Sequence, residues 1–391
     1  MTRTRAGRDP LVAYLSSFVV LGVVLGMLGP ALPSLRHQVG ASVGAISFVF
    51  VAQSAGYLAG SVLGGRGFDR GYGHRLLAAA LVLMAASLLL VTRCSSIGAL
   101  CATLLGLGVA LGLIEVGSNV LLIWARNPTS PAVINGLHFV FGVGALLSPL
   151  LVNRSLSLRG TVRAAYVVAA LLAVVAAAIV TTRPTPAPVD VTEHARGEHA
   201  PRRLVVAVAI FFALYVGIEV GFSGWIATYA QSAHFGGSGS GAALTAVFWA
   251  AFTTGRLVGV AIAARVRTVV LLAGGCSLSL LAAIAFGIAQ GRGALVWIAT
   301  AVFAVGLAPQ FASMLAFASE HLPLTASATS WFMASASIGG LILPWVIGQL
   351  LAASGTGALP TVIVIASVVT LAWVAVLDRI LPAAPAGGCP A

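Results

Sequence analysis

Long apolar runs alternate with short polar breaks from one end of the chain to the other. Cut at its charged and Gly/Pro-rich breaks, the chain yields twelve apolar segments: 11–33, 41–64, 76–92, 98–124, 132–153, 164–182, 205–230, 241–264, 268–290, 294–319, 326–353 and 359–378. Each is near the ~20 residues a helix needs to cross a hydrocarbon core, and far longer than the ~9–11 alternating residues of a barrel strand. The pattern predicts an all-α membrane protein with twelve transmembrane helices. The run from Leu11 to Pro33 follows MTRTRAGRDP. It is too long for a signal-peptide core and no A-x-A site closes it, so it is read as a retained first span.

A longer period lies beneath the twelve runs. At a shift of 195 residues, Gly22, Gly26 and Gly29 fall on Gly217, Gly221 and Gly224. Gly60 and Gly64 fall on Gly255 and Gly259, and VGALLSP (143–149) falls on IGGLILP (338–344), aligning Gly144 with Gly339 and Pro149 with Pro344. Single glycine matches mean little in a chain with 45 glycines; one constant shift over three helices, with a proline, means more. The longest polar break lies halfway along, where 185–203 read TPAPVDVTEHARGEHAPRR. The expected organisation is an N-terminal six-helix bundle over 1–182, a flexible cytoplasmic linker over 183–204, and a C-terminal six-helix bundle over 205–391. Two parallel six-helix repeats with a central site between the halves are the signature of the major facilitator architecture.

Composition agrees and adds orientation. Of 391 residues, 59% are hydrophobic and 8% charged, where a soluble domain carries about 25% charged residues. The net charge is +12, and all of the lysine-plus-arginine total is arginine. No soluble part is large enough for nucleic-acid binding, and the arginines sit in short loops. With both termini in the cytoplasm, fourteen arginines fall on that side and six outside, with Arg256 inside a span. Basic loops stay inside, so this orientation is expected. Cys94, Cys101, Cys276 and Cys389 show neither metal spacing nor a paired framework. No nucleotide-binding loop or catalytic triad is present, which argues against an enzyme and against a cofactor or metal.

The chain has only nine acids, and seven lie in tails, loops or span ends. Glu115 and Glu219 lie well inside spans. A charged carboxylate at bilayer depth costs about 2.5–3.5 kcal/mol on insertion scales, so such residues usually face a cavity and bind a proton or cation. The bland alternative is a protonated glutamate packed between helices. Glu115 has Gly112 and Asn119 on its face; Glu219 has Tyr215, Phe222 and Ser223. In the fifth span, Asn135, His138 and Gly142 share a face.

The loop after the second span reads GGRGFDRGYGHR (64–75). It resembles the major facilitator motif G-x-x-x-D-R-x-G-x-[RK], with Gly65, Asp69 and Arg70 in place and Arg75 nearby. Gly71 and Gly73 flank the position of the second glycine, which holds Tyr72. The expected role is a conformational latch, an acid at a helix end held among arginines. Three further motifs narrow the resemblance. They are Glu115, Gly117 and Asn119 as E-x-G-x-N, the N-x-L-H-F…G-x-G-A-x-x-x-P run from Asn135 to Pro149, and Y-x-G-x-E…G-W…T-Y from Tyr215 to Tyr229. They look like the fucose permease branch, and most like its sodium-dependent glucose transporter-like members. The resemblance implies sugar transport coupled to a cation, with Glu115 in the coupling role. That branch also uses a first-helix Asp in its fucose permeases; here Leu11 to Pro33 holds no acid. At the 195 shift, Glu219 stands where the first half has Val24.

A sugar site needs aromatic faces, amides and hydroxyls. Candidates are Gln53, Tyr57, Asn119, Asn135, His138, Tyr215, Trp225, Trp249, Gln310 and Trp331. The expected protein is therefore a monomeric secondary transporter in the cell membrane. Its partners would be a small solute, sugar first, and membrane lipids, with H+ or Na+ as coupling ion. The rivals are a proton-coupled drug or metabolite exporter of the same fold, and a non-transporting receptor or lipid scramblase.

Overall fold

The computed structural model describes residues 9–126, 131–187, 201–233, 239–263, 265–289, 293–322 and 326–380. They form fourteen helices: α1 (Leu11–Gln38), α2 (Val43–Ile46), α3 (Phe48–Asp69), α4 (Gly73–Val91), α5 (Ile97–Ala125), α6 (Pro131–Arg159), α7 (Arg163–Thr181), α8 (Arg202–Ser232), α9 (Ser240–Ala263), α10 (Thr268–Ile288), α11 (Gly293–Leu307), α12 (Gln310–His321), α13 (Ala326–Ser354) and α14 (Ala358–Ile380). Among the described residues, twelve stretches are long and apolar enough to cross a membrane, as the apolar runs predict. α2 with α3 makes the second span, and α11 with α12 the tenth. Large apolar side chains such as Leu171, Leu281 and Ile288 are more than half exposed, the surface of a protein solvated by lipid.

Three spans differ from the sequence reading. α1 runs through Pro30 and Pro33 to Gln38, although Pro33 was expected to close the span. A proline removes one helical hydrogen bond, which packed neighbours offset inside a membrane bundle. The tenth span is interrupted at Ala308 and Pro309, and α12 restarts with Ser313 N–H donating to the Pro309 carbonyl. The second span opens with a separate turn. Ser42 caps α2 by accepting from Ala45 N–H at 3.1 Å, and the Ser47 hydroxyl donates to the Gly44 carbonyl at 2.7 Å.

The described residues gather into two compact units. One draws on 1–191 and 226–249, the other on 192–225 and 250–391. The first is built on α1 against α6, α3 against α5, and α4 against α7. The end of α8 and the start of α9 count with it: Trp249 meets Phe141 of α6 edge-on at 6.3 Å. The second is built on α10 against α11, α12 and α14, and α13 against α14.

Several of the glycines repeated at 195 residues sit where helix backbones touch. A Cβ on Gly144 of α6 would collide with the backbone of α1 at Val19 and come within 2.9 Å of Val23 N. Its counterpart Gly339 of α13 would collide with the backbone of α8 at Ala213. Gly60 of α3 meets Val109 of α5 in the same manner, and Gly255 of α9 meets Val305 and Ala308 in the tenth span. In lipid, association depends on such close packing, because burial of apolar surface between helices gains little. Gly144→Val is expected to lower the melting temperature in detergent, with a cost of about 1–3 kcal/mol or more from overpacking. The same substitution at Gly136, where a Cβ meets nothing within 4 Å, is the control.

Polar ties fasten the first unit at one end. His74, at the start of α4, is buried. Its Nε2 shares a hydrogen bond with Tyr14 Oη at 2.9 Å, and its Nδ1 lies 3.1 Å from the Arg183 carbonyl. Asp9 accepts from Leu11 N–H at 3.0 Å at the start of α1, and pairs with Arg126 beyond the end of α5.

Candidate functional site

Two groups of polar side chains stand inside apolar helices, one in each unit. In the first, backbone proximity comes before chemistry. Gly108 and Gly112 let α5 lie directly on α3 beside Gln53, Tyr57 and Ser61. Gly112 is three residues before Glu115, so this contact sets Tyr57 level with the carboxylate. Tyr57 Oη donates to Glu115 Oε2, and both side chains are half-buried. A hydrogen bond to a carboxylate is charge-assisted and directional. Asn119 shares the face, but its amide donates to the Glu115 backbone carbonyl at 2.9 Å. Gln53, one turn before Tyr57, is 9% exposed. On α6, the His138 ring meets Phe18 of α1 edge-on at 5.6 Å. The side chain of Asn135 lies outside the described residues.

In the second unit, α8 presents Tyr215 and Glu219 one turn apart. Ser223, a further turn on, donates to the Glu219 backbone carbonyl at 2.7 Å. Glu219 is half-buried, and α9 carries Arg256. The guanidinium carbon of Arg256 lies 4.6 Å from the ring centre of Phe252. Tyr215 is fully buried and packs against Phe211 and Phe311. Sequence reading places Arg256 inside a span but gives it no role. The signal was present, since it alone among the arginines is displaced from the loops.

Several other candidates are occupied elsewhere. Trp225 is fully buried and its indole N–H donates to the Pro344 carbonyl at 2.7 Å. Gln310 is 1% exposed and donates to Ser279 Oγ and to the Gly306 carbonyl, each at 3.1 Å. The Trp249 ring is packed between Phe141 and Phe248. In this structure these three side chains are buried against their neighbours. Trp331, at the start of α13, is 64% exposed.

The loop motif is partly described. Gly71 and Gly73 have φ of 82° and 40°, so the turn requires glycine on both sides of Tyr72. That accounts for the displaced glycine of the motif. Arg70 and Arg75 are exposed, a Cβ on Gly65 would meet nothing within 4 Å, and the Asp69 side chain lies outside the described residues. Phe68 packs onto Gly117 of α5, where a Cβ would collide with its ring. The glycine of E-x-G-x-N thus seats the end of α3 two residues from Glu115.

Comparison with known proteins places this geometry in a family. The Major Facilitator Superfamily model matches residues 14–344. Sodium-dependent glucose transporter 1 of Xenopus laevis is 28% identical over 364 residues, covering 84% of this chain and 73% of that one. Sodium-dependent glucose transporter 1A of Mus musculus is 26% identical, covering 86% and 88%. Among solved structures, a mutant form of the nucleoside transporter NupG superposes with a TM-score of 0.77 at 14% identity, covering 95% of this chain and 100% of that one. The inward-open xylose transporter XylE from E. coli superposes with a TM-score of 0.75 at 13% identity, covering 92% and 94%.

Proposed function

The chain belongs to the Major Facilitator Superfamily, and we propose on that premise that it is a secondary active transporter moving a small polar solute, sugar first. It works by alternating access and couples transport to H+ or Na+. The observation that carries the reading is the Tyr57–Glu115 hydrogen bond inside two apolar helices. A carboxylate retained at depth beside a neutral donor is suited to taking up and releasing a cation. Two relatives named as sodium-dependent glucose transporters support a sugar and a coupling ion. Gln53, Tyr57, Asn119 and His138 supply the amides, hydroxyl and ring that a polyhydroxylated solute needs. The Asp69 loop acts as the latch, and neither a resident cofactor nor a nucleic acid takes part. The chain works as a monomer surrounded by lipid.

A second reading, proton-coupled export of lipophilic solutes, is favoured by the aromatic setting of the second unit, where Phe252 lies under Arg256 and Phe311 packs against Tyr215. Uptake of a panel of labelled sugars and lipophilic cations into proteoliposomes decides between them. Saturable sugar uptake supports the first reading. Movement of lipophilic cations without any sugar overturns it.

The arginine asymmetry supports placing both termini in the cytoplasm of a cell-membrane protein. In a background without the native cysteines, Val189→Cys should react with an impermeant maleimide from the cytoplasmic face alone. Labelling from outside intact cells would reverse the orientation.

A further inference from the structure

Glu115 stands on a stretch of α5 that is held differently from the rest of the helix. Toward Gln53, the backbones of α3 and α5 touch directly. A Cβ on Gly56, Gly60, Gly108 or Gly112 would collide with the backbone of the facing helix. Past Gly112, side chains take over: a Cβ on Gly64 would meet those of Leu113 and Val116 at 3.4 to 3.6 Å. At the end of α3 the filler is Phe68, which is fully buried. Its ring lies against Gly117, where a Cβ would come within 2.7 Å of Cε2 and 3.0 Å of Cε1 and would collide with Cζ. Glu115 is thus bracketed, by Gly112 against Tyr57 and Ser61 and by Gly117 against Phe68. The backbone of Phe68 belongs to the loop motif. Its carbonyl accepts from Gly71 N–H at 2.7 Å, which closes the turn in which Gly71 has a φ of 82°.

We propose that Phe68 is a positioning residue that ties the loop motif to the Glu115 carboxylate. Gly117 and Glu115, two residues apart, point to different sides of a helix with 3.6 residues per turn. The ring therefore acts on the carboxylate through α5. Seated at Gly117, it holds α5 so that Glu115 stays level with Tyr57 Oη. A close-packed ring transmits displacement because it has no slack to absorb it. When the 64–75 loop shifts during the transport cycle, the ring shifts with it, and the hydrogen bond that Tyr57 gives the carboxylate tightens or loosens. The hold of Glu115 on the coupling ion then follows the position of the loop. This consequence rests on the coupling reading of Glu115; the seating of the ring against Gly117 does not.

A size swap on the full-length protein tests the proposal. The three atoms nearest a Cβ on Gly117 are Cζ, Cε2 and Cε1 of Phe68, and leucine has none of them. Gly117→Ala should lower the melting temperature in detergent, Phe68→Leu should lower it less, and the double variant should recover most of the loss. Additive losses would overturn the seating. If Gly117→Ala does not fold, a folded double variant supports the seating and an unfolded one contradicts it. The second reading is the ion concentration for half-maximal uptake of labelled D-glucose into proteoliposomes. Gly117→Ala should shift it several-fold in the same direction as Tyr57→Phe, Phe68→Leu should shift it less in that direction, and the double variant should restore it. In a Tyr57→Phe background, Phe68→Leu should add little, because the hydrogen bond it loosens is already gone. A Phe68→Leu protein with a lower melting temperature and an unchanged ion requirement would make Phe68 a packing residue alone. Wild-type glucose uptake that neither an H+ nor a Na+ gradient alters sinks the coupling reading and the ion consequence with it, while the melting swap still judges the seating.

Discussion

Glu115→Gln is expected to bring solute accumulation down to the equilibrium level while leaving solute-for-solute exchange intact. A coupling carboxylate must change its charge balance during each cycle. Glutamine keeps the shape and can still accept from Tyr57 Oη, but it cannot bind and release a cation. The variant therefore resembles a site that is permanently loaded. Gradient-driven uptake requires release of the ion, so it stops. Exchange between labelled and unlabelled solute needs no release, so it continues. Glu115→Ala should impair both, because Tyr57 then loses its acceptor inside an apolar helix pair. Counterflow and gradient-driven uptake in the same proteoliposomes read the difference. A glutamine variant that still concentrates solute would make Glu115 a packing residue.

Tyr57→Phe is expected to have the next largest effect. The substitution removes one hydroxyl and keeps the ring that packs along α5. A hydrogen bond to a charged group contributes about 1.5–3 kcal/mol, so the ion concentration for half-maximal uptake should change by roughly tenfold or more. The thermal stability should change much less, and exchange should be affected less than gradient-driven uptake. A structural role predicts the opposite: a lower melting temperature with both transport modes falling together.

The twelve spans are legible in the sequence because apolar length translates directly into membrane crossing. The repeat at 195 residues is legible for a related reason. Gly144 and Gly339 are held where helix backbones touch, and no other residue fits there without displacing α1 or α8. The candidate site is legible only in part. Glu115 announces itself as an acid in an apolar run. Its partner does not, because Tyr57 reaches it from another helix and nothing local marks the pairing. Gln310 and Trp225 show the converse. Their side chains look suited to a solute, but a helix has two sides, and theirs face Ser279 and Pro344. The interruption at Pro309 was also hidden, since a proline in a membrane helix can be carried through, as Pro30 and Pro33 are in α1.

The most direct test of the transport reading is accumulation of labelled D-glucose in proteoliposomes under an imposed H+ or Na+ gradient. The account predicts that one of the two gradients drives glucose above its equilibrium level, and that collapsing that gradient with an ionophore returns it to equilibrium. Glucose that only equilibrates under both gradients, or does not enter at all, would contradict it.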